Sequence, residues 1–295
     1  MRAICRLAAA GTMFLPILLT GCSFFPTTRK LLIPKAPAIT QTVTPEELVS
    51  RLNQHWAAID TITATVDIQA SVIKTREGVA KDYPSLRGHI LLRKPAMLRV
   101  LGQYLAVRFF DMASDGKEFT LSIPPQNKAI KGSNALKKKS VNALENLRPG
   151  FFFDALLVRG LEPDDLYSVT ADTETVVDAS KKHLLLTPEY VLSIMRRAEG
   201  SRKLTPVRVV TFNRDDLQPH QQDIYDSEGN LETEVLYAAY QDFDSGRYPS
   251  MITIKRPMEE IQVVLRVEDV KENQPLTDDQ FVVKTSEGTV IQKLE

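Results

Sequence analysis

The sequence predicts an α+β fold: an incomplete antiparallel β-barrel, a strongly curved sheet of about 11–12 strands with covering α-helices. Three observations predict it. One amphipathic helical segment precedes a long series of segments in which apolar and polar residues alternate with period two. Turn residues separate those segments at hairpin spacing. The most apolar stretch beyond the N-terminus interrupts the series near its middle and is short enough for a buried helix. So many twisted strands in an open sheet must curl. The concave face then needs cover, and the helices are the candidates for it.

Residues 1–21 read as a signal peptide. Arg2 and Arg6 precede a run from Leu7 to Leu19 that is almost wholly apolar, followed by small residues. That run is too short to span a membrane. Leu19-Thr20-Gly21-Cys22 resembles the bacterial lipobox, in which the cysteine is acylated and becomes the first residue. Cys22 is therefore the expected lipidation site; the alternative is an ordinary signal peptide with a chance cysteine. Cys5 lies in the leader, so no disulfide is expected. Ser23 after the cysteine, rather than Asp, directs the expectation to the periplasmic face of the cell outer membrane. Residues 22–43 read as a lipidated Cys and flexible tether, with Pro26, Pro34 and Pro37 excluding helix and central strand. Fully extended, the tether spans at most ~70 Å.

One domain is expected over residues 44–295. Thr44-Pro45-Glu46-Glu47 has the form of an N-cap, a first-position proline and a capping box. Leu48, Leu52, Trp56 and Ile59 form the apolar face of a helix over about 45–59, with Trp56 expected in the core. From Ile62 to Ala70 the period is two, which gives a half-buried strand. Strands follow at about 85–94, 96–102, 105–113, 117–123 and 127–131, with Lys94-Pro95 and Asp115-Gly116 between them. Residues 135–147 suit a helix with Lys137, Lys138 and Lys139 on its wet side. Pro149 opens a short buried helix through Phe151-Phe152-Phe153 to Gly160, and 162–166 reads as one more helical turn. Strands return at about 183–198, 203–214, 219–226, 231–240, 249–256 and 260–269, with a last one at 280–284.

The charge balance excludes some functions. Thirty-seven basic residues, less Arg2 and Arg6, against 37 acidic ones leave the mature chain near −2, with no electrostatic footprint for nucleic acid. His55, His89, His183 and His220 fit no metal-ligand spacing, and neither a nucleophile elbow nor a phosphate-cradling glycine loop is present. The adjacent pairs Asp164-Asp165, Asp215-Asp216 and Asp278-Asp279 suit turns and caps, because neighbours on a strand point to opposite faces. No catalytic residue, metal or cofactor is expected, and the chain is not read as an enzyme.

Three stretches carry a family resemblance. Gly88-His89-Ile90-Leu91-Leu92-Arg93-Lys94-Pro95-Ala96-Met97-Leu98-Arg99, Ser114-Asp115-Gly116-Lys117 and Leu276-Thr277-Asp278-Asp279-Gln280-Phe281 occur in the order seen in the lipoprotein carrier and receptor proteins of the Lol pathway (LolA/LolB-like). The chain resembles that superfamily over most of residues 44–290, as a lipid-anchored member. The resemblance implies a half-barrel whose helices close an apolar cavity for acyl chains of lipids or lipoproteins, with a periplasmic carrier protein as a further partner. The family's arginine before the proline, a lid latch, is replaced here by Lys94, with Arg93 one residue earlier. Arg93 would face the opposite side of the strand.

The expected cavity and lid residues are Phe151, Phe152, Phe153, Leu156 and Leu157, with Met97 and Leu101 added from the first strands. The alternative is that the same residues plug the barrel as core. Tyr104 and Leu105, in Gly102-Gln103-Tyr104-Leu105, are the candidates for the exposed apolar loop that the family's receptor uses on membrane and cargo; an ordinary turn is the alternative. Two functions follow: non-catalytic binding and transfer of acyl chains in an apolar cavity, or an envelope interaction or regulatory lipoprotein acting through protein partners.

Overall fold

A computed structural model describes residues 40–74, 77–134, 148–177, 184–197 and 200–294. The leader, Cys22, most of the tether, the helix expected at 135–147 and His183 lie outside the described residues.

The leading helix is α1 (Pro45–Ala58). The Glu47 amide donates to Thr44 Oγ1 at 3.2 Å, as an N-cap requires. The Glu47 carboxylate does not complete a capping box; it accepts from Arg51 one turn on. Leu48, Val49 and Leu52 are buried, and Trp56 is half-buried.

Seven strands follow: β1 (Thr61–Lys74), β2 (Val79–Asp82), β3 (Leu86–Arg93), β4 (Met97–Tyr104), β5 (Val107–Ser114), β6 (Glu118–Ile123) and β7 (Lys128–Ser133). The helix α2 (Pro149–Leu156) comes next. The second run is β8 (Asp165–Val177), β9 (Leu184–Arg197), β10 (Leu204–Asn213), β11 (Pro219–Tyr225), β12 (Leu231–Phe243), β13 (Gly246–Arg256) and β14 (Ile261–Glu272), and β15 (Val290–Lys293) closes the chain.

All belong to one 15-stranded sheet, ordered β15-β7-β6-β5-β4-β3-β1-β14-β13-β12-β11-β10-β9-β8, with β2 paired to the end of β1. The chain meanders outward from β1 in one direction and returns to it through β14, so β1 joins the two halves. Neighbours are antiparallel except β15 and β7. The sheet does not close, since β15 and β8 are its edges.

The expected count of 11–12 strands was low, and the reason is that the missed strands are edges or near edges. Residues 162–166 do not form a helical turn; Asp165 opens β8, whose residues are mostly exposed on both faces and carry no apolar alternation. β2 and β15 have four residues each, too short for a periodic pattern. No strand forms at 280–284. Thr277 and Gln280 make a capping box there, and Asp278–Phe281 winds into a 3₁₀ turn. α2 ends at Leu156 rather than Gly160.

The core lies between the concave face of the sheet and the two helices, where Phe151, Phe152, Phe153, Leu156 and Leu157 pack with Leu192, Val210, Ile252, Leu265 and Ile90. Each fully buried side chain of this size contributes about 1.5–3 kcal/mol. The convex face has its own clasp. Asp111, with no exposed surface, takes Arg99 in a bidentate pair at 2.8 and 2.9 Å, and Arg99 also donates to Gln280 O. Arg93 donates to Leu276 O, pairs with Asp278 and stacks on Phe281. The C-terminal segment is thus strapped across β3, β4 and β5.

Removing one partner of a buried ion pair strands the other. Arg99→Ala is expected to cost about 3 kcal/mol in urea unfolding. Arg108, about half exposed and 3.4 Å from the same carboxylate, is expected to cost under about 1 kcal/mol as Ala.

Candidate functional site

The concave face is not filled evenly. Between α2 and the first-half strands lies an apolar cavity of about 380 Å³. Its inner wall is Ile68 and Ala70 of β1, Leu86, Met112, Leu121, Val263 and the ring of Phe152. Its outer wall is Tyr83, Pro84, Tyr104, Phe109, Phe110, Ile123 and Gln126. These outer residues lie where β3, β5 and β7 begin and β4 and β6 end, so the cavity opens at one end of the sheet.

The cavity's shape depends on Gly102. It faces Phe110 across β4 and β5, and a Cβ at Gly102 would run into the Phe110 ring. Only glycine leaves the space for that ring to lie over the neighbouring strand.

The two residues joining β4 to β5, Leu105 and Ala106, both have positive φ, at 45° and 67°. Such turns normally carry Asn or Gly, and a bulky residue there stores strain of order 1 kcal/mol. Leu105 is 84% exposed, and Tyr104, Val107 and Phe109 beside it are exposed as well. The result is an apolar hairpin tip at the cavity mouth.

α2 is fixed from three sides. Its last carbonyls lack intrahelical donors. Gln222 Nε2 donates to Asp154 O at 2.8 Å, and the Tyr248 hydroxyl donates to Leu156 O at 2.7 Å. Arg208 Nη1 donates to Arg159 O at 2.8 Å just beyond the helix, and burial lowers the pKa of Arg208. Phe151 and Phe152 stack with centroids 4.3 Å apart. Phe153 meets the edge of Trp56, and the Arg159 guanidinium lies over Phe153 at 4.7 Å.

Of the residues expected at the site, Phe152 lines the cavity. Phe151, Phe153, Leu156 and Leu157 pack in the core around it. Tyr104 lines the mouth and Leu105 is the adjacent tip. Met97 and Leu101 do not come to the cavity. Leu98, Val100 and Gly102 are the buried series of β4, so the intervening Met97 and Leu101 are on its other face. Lys94 does not reach α2; its ammonium donates to Trp56 O at 2.6 Å and lies over the Trp56 ring. Sequence reading missed Tyr83, Phe109, Phe110 and Met112. The signal for two of them was the pair Phe109-Phe110 on a strand opposite a glycine.

A second hollow, of about 200 Å³, lies by the C-terminal end of α2 and is more polar, with Tyr237, Tyr240, Tyr248, Asp216 and Arg247 in its wall. Elsewhere, Glu189 of β9 and His220 of β11 lie with carboxylate and ring nitrogen 3.2 Å apart, out of hydrogen-bonding line. Burial, with Glu174 and Asp172 nearby, raises Glu189 to about 7, and burial pushes His220 down. Among the described residues no group of three or more His, Cys, Asp and Glu could hold a metal ion, and no helix is long and apolar enough to cross a membrane.

No protein-family model matches the chain, and no curated protein matches it. Solved structures do. A LolA superfamily protein from Nitrosomonas europaea is 15% identical, with 82% of this chain and 99% of that one covered, at a TM-score of 0.48. A DUF1329 family protein from Desulfovibrio piger is 12% identical over 80% of this chain and 95% of that one, at 0.49. An outer membrane lipoprotein-sorting protein domain from Vibrio parahaemolyticus, described as such in its structure's name, is 14% identical over 80% and 94%, at 0.45.

The Glu189 carboxyl titrates higher folded than unfolded, so its contribution to stability is present at low pH and is lost as pH rises through about 7. His220, lowered on folding, acts in the opposite sense, losing its contribution below its ordinary value of 6.5. Glu189→Gln is expected to raise Tm by roughly 4 °C at about pH 8, with the gain shrinking below about pH 7 and vanishing only near about pH 4, where the carboxyl is neutral in the unfolded chain as well. Thermal melts at the two pH values check this.

Proposed function

We propose that this protein is an envelope lipoprotein, held to the outer membrane through Cys22, that takes an acyl chain of a lipid or lipoprotein into its cavity and passes it on without catalysis. The observation that carries the reading is the apolar cavity of about 380 Å³ beneath Phe152, open at one end of the sheet. Its volume falls within the range of small-molecule sites, roughly 300–1,000 Å³. Its wall offers almost nothing to a polar ligand, whereas each methylene moved there from water gains about 0.8 kcal/mol.

The hairpin tip fits the same role. An apolar tip beside the mouth can enter a bilayer surface and bring the mouth to the lipid. Its strained turn holds Leu105 outward, although the chain would be more stable with Asn or Gly there. Transfer needs no chemical step; the chain leaves when a partner or membrane binds it more tightly.

Native mass spectrometry of the chain carrying Cys22→Ser, purified gently from bacterial envelopes, tests the reading. Bound species of phospholipid or acylated-peptide mass are expected. Ala70→Phe fills the cavity from its floor without removing a core contact, and is expected to abolish the bound species while the protein stays folded. A bare wild-type protein that also ignores added lipid would sink the proposal and favour action through a protein partner.

Leu105→Glu changes an exposed tip, so it is expected to keep stability and lipid binding but to lower co-sedimentation with vesicles more than ten-fold. Unchanged sedimentation would remove the tip from the mechanism.

A further inference from the structure

We infer that the cavity takes a single acyl chain of about a dozen carbons, and that Lys81 at the rim selects a negatively charged head. The inference rests on the acyl-binding reading above and names its ligand class. The first ground is volume. A methylene occupies about the space of a water molecule, roughly 30 Å³, so about 380 Å³ holds a chain of that length. The three chains of a triacylated protein would need about three times the space.

The second ground is where the polar groups are. No charged side chain lines the cavity; its polar side chains are those of Tyr83, Tyr104 and Gln126, none of them buried. A head group therefore cannot be accommodated inside, and the ligand enters tail first. At the rim, the Lys81 ammonium lies over the Tyr83 ring, 5.2 Å from its centroid. Tyr83 is itself cavity wall, so this charge stands at the point where a head group would rest. Neighbouring bases are already paired: Lys74 with Glu77, Arg87 with Glu268 and Arg108 with Asp111. Among the described residues no carboxylate is paired with Lys81.

The third ground is that β2 is held in place. Ser71 Oγ donates to Asp82 at 2.6 Å, and the Tyr83 amide donates to Ala70 O at 2.9 Å. Asp82 is thereby turned to β1, and Lys81 is left on the side of Tyr83. A fixed, unpaired ammonium beside an apolar opening complements a carboxylate or a phosphodiester on a single tail.

The test uses the full chain carrying Cys22→Ser and displacement of the apolar dye N-phenyl-1-naphthylamine. The competitors are lysophosphatidylglycerols of 8 to 18 carbons, the matching lysophosphatidylcholines and the matching fatty acids, all kept monomeric. Affinity should rise about four-fold per methylene and level off near twelve carbons. The anionic heads should bind about three-fold more tightly than the zwitterionic one, and Lys81→Gln should erase that preference without changing lysophosphatidylcholine. Fatty acid against lysophosphatidylglycerol then separates a carboxylate head from a phosphodiester one. A steady rise to eighteen carbons overturns the single short chain. Equal affinity for both head groups, or a preference that survives Lys81→Gln, overturns the role of Lys81. Failure of every competitor overturns the acyl-binding reading itself, so the two failures are distinguishable.

Discussion

The structure depends on how α2 sits in the concave face of the sheet. This eight-residue helix has six buried residues, three of them phenylalanine. A helix that short is not stable alone and takes its stability from packing. Here the packing comes with hydrogen bonds, because Gln222, Tyr248 and Arg208 occupy the carbonyls that the end of the helix leaves bare. Those donors come from β11, β13 and β10, so α2 ties the second half of the sheet to the floor of the first. A buried arginine is costly unless it is bonded, and Arg208 is accommodated because the chain leaving α2 presents a carbonyl to it.

The same helix produces the cavity. α2 covers part of a concave surface much larger than itself, and the stretch of β1, β5 and β6 beyond Phe152 is left without cover. Its wall keeps the apolar character of a core but meets solvent. The rim carries two opposed features: an apolar tip at Leu105, and a lysine at Lys81. An apolar interior with a mixed rim suits an amphiphile, whose tail and head have the same division.

The convex face has a different task. Asp111 is wholly buried there, with Arg99 as its bidentate partner, and that pair sits under the C-terminal strap. Strapping β3 to β5 steadies the strands that carry Gly102, Phe110 and the tip. The strength of the hairpin thus comes from the outer face while its function faces inward.

The sequence by itself determined the leading helix, the meander of strands, the turn at Asp115-Gly116 and the burial of the Phe151–Phe153 segment. Each rests on local periodicity, a cap or a turn residue, which short stretches carry within themselves. Strands β2, β8 and β15 were not legible, because edge strands bury no consistent face and so leave no alternation. Whether the phenylalanines were core or cavity was also undecided, since both require the same apolar residues. Only the tertiary structure decided that Phe152 lines the cavity while Phe151 and Phe153 pack wholly within the core. It also moved Met97 and Leu101 to the outer face, a matter of strand register, and brought Lys81 to the ring of Tyr83 at the mouth. Such facts depend on which distant strands lie beside each other, and that is set by long-range pairing rather than by neighbours in the chain.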